Sequence, residues 1–208
     1  MADVYFISDT YFFHKRMMEE YPVRPFYGPA DPDVYDDWLI EFWNAIVKQE
    51  DQVYIVGDFS FGETEQVRRL LDLLQGTKYL VVGNKDESSL TLTKSFKWIR
   101  EIVDLNFRVS AYPFLQEDFR LVLCHYPILS WNGKREGVCM VHGYCHGRLD
   151  EYNRLSGELR VDVGINARLS RTNGGFISLE ELYNYFRWVS GNELFEKYIK
   201  DNQEKFLI

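Results

Sequence analysis

Five short segments each place a metal-type ligand in a turn directly after an apolar run. They are Ile7-Ser8-Asp9-Thr10-Tyr11, Gly57-Asp58-Phe59, Gly83-Asn84-Lys85-Asp86, Cys124-His125-Tyr126-Pro127 and His142-Gly143-Tyr144-Cys145-His146. Aspartate and asparagine offer oxygen donors, and histidine offers an imidazole. That mixed set suits Mn²⁺, Fe²⁺ or Zn²⁺ better than Ca²⁺ or a thiolate-zinc site. A carboxylate in a Gly-Asp turn, such as Asp58, can bridge two ions. Two ions about 3.5–4 Å apart can hold a phosphate, activate a water and stabilise a leaving oxygen. A single turn of this kind means little, because Asp and Asn follow strands for ordinary turn reasons. Five of them along one chain carry the signal.

The elements that must position these turns can be read from periodicity. Val4–Ile7, Val53–Val56 and Tyr79–Val82 are short apolar runs, each ending in a polar turn, as buried strands do when their C-terminal ends face a site. Asp33–Gln49 carries a helical stripe of Val34, Leu39, Phe42, Ile46 and Val47. Glu65–Gln75 repeats it with Val67, Leu70, Leu71 and Leu74, and Gly76 stops it. The first third therefore reads β-α-β-α-β, which favours parallel strands with helical crossovers. Strand-like runs follow at Phe107–Ala111, Arg120–Cys124, Val138–Val141 and Leu159–Val163. Ser178 and Glu181 form a capping-box pattern before an amphipathic Leu179–Val189. A final polar helix is expected at about Glu193–Lys205. Periodicity alone gives the class α/β, as a single domain over residues 1–208 with a helical extension from about 190.

Composition narrows the partners. The 208 residues are 46% hydrophobic and 16% aromatic, with 14 Tyr and 15 Phe, which argues for a packed core rather than disorder. A net charge of −8 argues against nonspecific binding to duplex nucleic acid or an anionic membrane, though not against a local cationic site. No window approaches a membrane span. Met-Ala-Asp-Val-Tyr at the start reads as a strand rather than a leader. The odd set Cys124, Cys139 and Cys145 has no paired spacing. A cytoplasmic protein with reduced thiols is the expectation.

The order and chemistry of the five segments resemble the calcineurin-like metallophosphoesterase family, whose pattern runs D-x-H, GD, GNH[DE], H and GHxH. The likeness is closest to its small bacterial and phage-type members. Arg24-Pro25-Phe26, Gly57 to Gly62, Cys124-His125-Tyr126-Pro127, His142-Gly143, His146-Gly147 and Val161-Asp162-Val163-Gly164 carry it, over roughly Asp3 to Leu182. The resemblance implies a four-layer α-β-β-α sandwich of two mixed sheets and hydrolysis of a phosphomonoester or phosphodiester. It implies up to two divalent ions, Mn²⁺ first and Fe²⁺ or Zn²⁺ next. Asp9, Asp58 and His146 would hold one ion; Asp58, Asn84 and His125 would hold the other. Asp86 would orient the general acid that follows Asn84.

Three histidines of that pattern are replaced here, by Tyr11, Lys85 and Tyr144. A phenol with a pKa near 10 is a far poorer ligand for a divalent ion than neutral imidazole. As a tyrosinate, Tyr11 or Tyr144 could still bind a hard ion such as ferric iron. Loss of an outer partner typically costs about 10–100-fold in affinity or activity, and loss of a direct ligand at least as much. Loss of a general acid costs on the order of 10²–10⁴ in rate. Lys85 can hold phosphate as a fixed cation, or pair with Asp86 or the site carboxylates. Tyr11 and Tyr144 can instead fill the space of the lost ligands and hydrogen-bond across it. His14 follows Tyr11 by three residues and is placed to approach the site.

Other chemistry-bearing residues have plainer readings. Cys145 fits a small packing residue behind the ligand turn better than a nucleophile. Arg148, Arg154 and Arg160 either grip phosphate or are solvated. The aromatic residues of Trp38–Trp43 and Tyr183–Trp188 have helical spacing and belong to the core. Two functions follow. One is a phosphoesterase with a weakened metal site, in which Lys85 and Asp86 take catalytic roles. The other is an inactive descendant that binds a protein or a phosphate-bearing ligand.

Overall fold

The computed structural model describes residues 2–14, 32–156, 158–167 and 175–191. Its strands are β1 (Val4–Ile7), β2 (Gln52–Ile55), β3 (Thr77–Val81), β4 (Ile99–Arg100), β5 (Ile102–Phe107), β6 (Phe119–Cys124), β7 (Cys139–His142), β8 (Arg160–Asp162) and β9 (Ile177–Ser178). Its α-helices are α1 (Pro32–Ile46), α2 (Thr64–Leu73), α3 (Asp150–Ser156) and α4 (Leu179–Val189). One sheet has the order β4-β3-β2-β1-β9 and the other β5-β6-β7-β8. The first is parallel except where β9 runs against β1; the second is parallel except where β5 runs against β6. The fold is α/β with two mixed sheets.

Side-chain alternation assigns each strand face. Val4 and Phe6 of β1 and Tyr54 of β2 pack with Leu121, Leu123, Val141 and Val161 of the second sheet. Ile7, Val53, Ile55 and Leu80 turn the other way, onto Leu39 and Trp43 of α1 and Val67, Leu70 and Leu71 of α2. Trp43 is fully buried and Phe186 nearly so, as expected of core aromatics. At the far face, Val122, Cys124 and Met140 cover Trp131 and Val138. Burying a large apolar side chain stabilises by roughly 1.5–3 kcal/mol, so these faces fix the strand register.

The first three strands and both early helices fall within a few residues of the sequence reading. The capping box at Ser178 is complete: Ser178 Oγ accepts from Glu181 N–H at 3.2 Å, and Glu181 Oε2 accepts from Ser178 N–H at 2.8 Å. The strand expected at Phe107–Ala111 is misplaced. The strand runs Ile102–Phe107, with Val103 and Phe107 inward and the polar Asp104 and Asn106 outward. Val109 N–H instead caps a turn on Asp118 Oδ1 at 2.9 Å. Helix α3, which is polar and short, has no counterpart in the sequence reading. Arg24-Pro25-Phe26 and the helix expected at about Glu193–Lys205 lie outside the described residues. Among those residues no helix is long and apolar enough to cross a membrane.

Candidate metal centre

All the ligand turns leave the C-terminal ends of strands: β1 leads to Asp9, β2 to Asp58, β3 to Asn84 and Asp86, β6 to His125, β7 to Tyr144 and His146. Because these strands run parallel within each sheet, the turns of a sheet emerge at one end. Main-chain bonds then tie these turns together, between the sheets and within one. Ser8 N–H donates to Val163 O at 3.0 Å, and Ile165 N–H donates to Ser8 O at 3.0 Å. Gly143 N–H donates to His125 O at 3.0 Å. The approach is close enough to exclude side chains: a Cβ on Gly83 would strike the Asp58 carboxylate, and one on Gly143 would strike Ser8 and Asp9.

The described non-glycine residues with positive φ are Asp9, Tyr11, Phe13, Asp58, Tyr144 and His146. Five of the six belong to these turns, and Phe13 follows Tyr11 by two residues. Each such residue costs of order 1–3 kcal/mol and persists only where surrounding contacts enforce it. Strain gathered in one place points to a site.

Asp9, Asp58 and His125 each offer a ligand atom, and these atoms lie within 4.8 Å of one another. All three residues are at most 1% exposed. His125 Nδ1 lies 2.8 Å from Val56 O. A carbonyl only accepts, so Nδ1 carries the hydrogen, which leaves Nε2 as the ligand atom. That Nε2 is buried, makes no hydrogen bond, and sits 3.4 Å from Asp58 Oδ1. Burial pulls the His125 imidazole down, but the approach of Asp58 and the charge of Asp9 outweigh it and push it up to about 9. Burial, then the Asp162 carboxylate, raises Asp9. Burial would raise Asp58 too, but His125, the Lys85 N–H and the Tyr11 hydroxyl hold it below its ordinary value.

These shifts set an expected pH dependence for metal-free protein. His125 holds a proton in the folded state up to about 9 and in the unfolded state only to about 6.5. Its contribution is therefore present below pH ~6.5 and lost as pH rises through ~9, a change of about 3 kcal/mol. Asp9 acts in the same direction, since its folded carboxyl keeps a proton that the unfolded chain has released. A divalent ion bound to this group would replace those protons. Urea midpoints in chelator should fall between pH 6.5 and 9, and saturating Mn²⁺ should flatten the slope.

Tyr11 hydrogen-bonds across the site, one of the two places expected of it. Tyr11 is buried, and its hydroxyl lies 3.0 Å from Asp58 Oδ2, 3.4 Å from Asp9 Oδ1 and 3.2 Å from His146 Nε2. Tyr144 does not bridge the site: its ring is 48% exposed and sits edge-on to His125 and Tyr126, while its N–H faces Asp9. Asn84 and Lys85 are exposed. The expected pairing of the Lys85 ammonium with Asp86 or the site carboxylates does not form; only the Lys85 N–H reaches Asp58 Oδ1, at 3.0 Å. Asp86 is instead a fully buried brace. It accepts from Asp58 N–H at 2.9 Å, Phe59 N–H at 2.8 Å and Gly83 N–H at 2.8 Å. His14 packs edge-on to Tyr11 and Phe61.

No protein-family model matches the chain. The Uncharacterized protein MJ1445 of Methanocaldococcus jannaschii is 31% identical over 155 residues, which cover 73% of this chain and 74% of that protein. The chain belongs to the family of MJ1445. The Gene 66 protein of Mycobacterium phage L5 is 25% identical over 214 residues, covering 93% of this chain and 98% of that protein. Among solved structures, the protein of unknown function AQ665 from Aquifex aeolicus matches with a TM-score of 0.63 and 22% identity, over 89% of this chain and 100% of that chain. That likeness shows the fold.

In this member of the MJ1445 family, three site residues escape a search for ligands. Asp162 is fully buried, and its two oxygens accept from Gly147 N–H at 3.0 Å and Gly164 N–H at 2.8 Å, fixing the turn that carries His146. Its signal was its place at a strand end in Val161-Asp162-Val163-Gly164. Tyr126 is half-exposed against His125 and Tyr144. His142 is buried beside Gly143 O and held down to about 4, first by burial, so its ring is neutral. Arg160 is neither solvated nor free for phosphate. It is buried and spends its guanidinium on Asn153 Oδ1 and the carbonyls of Pro127 and Ile128, tying α3 to the His125 turn. Arg148 is exposed, and the Arg154 side chain lies outside the described residues. Burial pushes the Cys145 thiol up to about 11, which suits packing rather than nucleophilic attack.

Proposed function

We propose that this chain is a metal-dependent phosphoesterase of the calcineurin-like type, acting on a phosphomonoester or phosphodiester. The single observation that carries this is the buried Asp9, Asp58 and His125 group, towards which His125 turns an Nε2 that makes no hydrogen bond. Buried carboxylates without compensation are costly, and a divalent ion supplies it. The donor set fits Mn²⁺, with Fe²⁺ or Zn²⁺ next. A bound ion would supply Lewis acidity to the phosphate and activate the attacking water.

The chain's own residues then have definite tasks. Asp9, Asp58 and His125 hold the ion, with Asn84 and His146 completing the donors that the resemblance assigns. Asp86 fixes the Asp58 and Gly83 turns. Lys85, exposed beside them, holds the phosphate or the leaving group as a cation. The two mixed sheets with α1 and α2 packed on one outer face agree with the four-layer α-β-β-α sandwich of that family. Three free thiols suit a cytoplasmic setting. One observation favours a second reading, in which the scaffold only binds a protein or phosphate-bearing partner: the Tyr11 hydroxyl already satisfies Asp58 and His146.

The test is hydrolysis of p-nitrophenyl phosphate and bis(p-nitrophenyl) phosphate by stripped protein given Mn²⁺. Turnover that chelator removes supports the enzyme. Ion binding without turnover, followed by turnover in the triple variant Tyr11→His, Lys85→His, Tyr144→His, supports the inactive descendant.

A further inference from the structure

The Tyr11 hydroxyl stands where the resemblance would put an ion. It contacts Asp9, Asp58 and His146 together, the three donors of the expected first site. His146 is absent from the group whose donor atoms lie within 4.8 Å of one another; that group is Asp9, Asp58 and His125. The hydroxyl is thus a wedge between His146 and the carboxylates. Its one proton goes to the nearest acceptor, Asp58 Oδ2, and its lone pairs face His146 Nε2.

The wedge is held in place. The Tyr11 ring is 7% exposed, stacked on His146 with 5.6 Å between centroids and tilted against Phe61 at 5.4 Å. Its N–H donates to Asp58 O at 3.2 Å, and its φ is 52°. Metal–ligand bonds are about 2.0–2.2 Å long, so an ion shared by Asp9, Asp58 and His146 would have to expel the hydroxyl from between them. His125 Nε2 has no hydrogen bond to lose, so an ion on Asp9, Asp58 and His125 competes with the hydroxyl for the two carboxylates alone, whereas an ion that includes His146 must displace it from all three donors.

We infer that this chain holds one divalent ion, on Asp9, Asp58 and His125, and that the Tyr11 hydroxyl occupies the place of a second. The inference rests on the metal-centre reading above and departs from it in removing His146 from the donors, because the Tyr11 hydroxyl stands in its way.

Calorimetry and elemental analysis of stripped full-length protein with Mn²⁺ test it. One ion per chain is expected for the wild type and two for Tyr11→His. In His125→Gln the wild-type ion should bind at least about 10–100-fold more weakly. Should Tyr11→His fail to fold, electron paramagnetic resonance of the Mn²⁺-loaded wild type decides instead: an isolated ion supports the inference, and an exchange-coupled pair overturns it. Two ions on the wild type overturn the wedge and leave the phosphoesterase reading standing. One ion on both proteins also overturns it, since Tyr11 would then exclude nothing. No ion on either protein overturns both readings.

Discussion

Asp58→Asn should weaken Mn²⁺ binding to the stripped chain at least 100-fold and remove any Mn²⁺-dependent hydrolysis. The substitution keeps the shape of the side chain and an oxygen for the Lys85 N–H, now 3.0 Å away. It removes the negative charge that meets His125, at 3.4 Å, and the Tyr11 hydroxyl, at 3.0 Å. A direct ligand should matter more than an outer partner, whose loss alone costs about 10–100-fold. A hundredfold is about 2.7 kcal/mol at ~1.36 kcal/mol per decade. The same variant carries an internal control. His125 is pushed up to about 9 largely by Asp58 and Asp9, so the alkaline loss of stability in metal-free protein should shrink. Unchanged ion affinity together with an unchanged pH slope would remove Asp58 from the centre.

Asp86→Ala should give the largest loss of stability, about 3–6 kcal/mol by urea unfolding. Three buried N–H groups, of Asp58, Phe59 and Gly83, lose their acceptor at once. Each orphaned donor costs about 1–3 kcal/mol. Burial raises the Asp86 carboxyl despite the Gly83 and Phe59 N–H groups, so relief of that buried group pulls the sum towards the lower bound. Typical domains hold only 5–15 kcal/mol in total. Asp86→Asn keeps one acceptor oxygen and should cost roughly half as much. A residue that only oriented an acid would lower turnover and leave the urea midpoint alone; Asp86 should move the midpoint first.

The ligand turns were legible because each follows a continuous apolar run, and such runs are what buried parallel strands look like. Helices α1, α2 and α4 were legible for the same reason, through period and capping. Strand β5 was not, because its outward Asp104 and Asn106 break the apolar run ahead of Phe107. Asp9, Asp58, His125 and His146 could be nominated from sequence, but their grouping could not. Which histidine stands grouped with Asp9 and Asp58 depends on where the Tyr11 ring lies, and its contact with His146 spans 135 residues. The bracing roles of Asp86 and Arg160 were not legible, because a charged residue near ligand-type side chains suggests chemistry, whereas burial here commits both to hydrogen bonds. Nothing in sequence reports that burial.

The left-handed turns have a consequence for lineage. Aspartate and histidine tolerate that conformation comparatively well; tyrosine gains nothing from it. Yet Tyr11 and Tyr144 adopt φ of 52° and 69°. Their main chain takes a bend that is dearer for a bulky ring than for aspartate or histidine. The outline of the site is therefore written in dihedral angles as well as in donors, and the two can be lost separately. The six left-handed residues mark this end of the strands in the main chain alone, so a backbone trace without side chains would still locate the site.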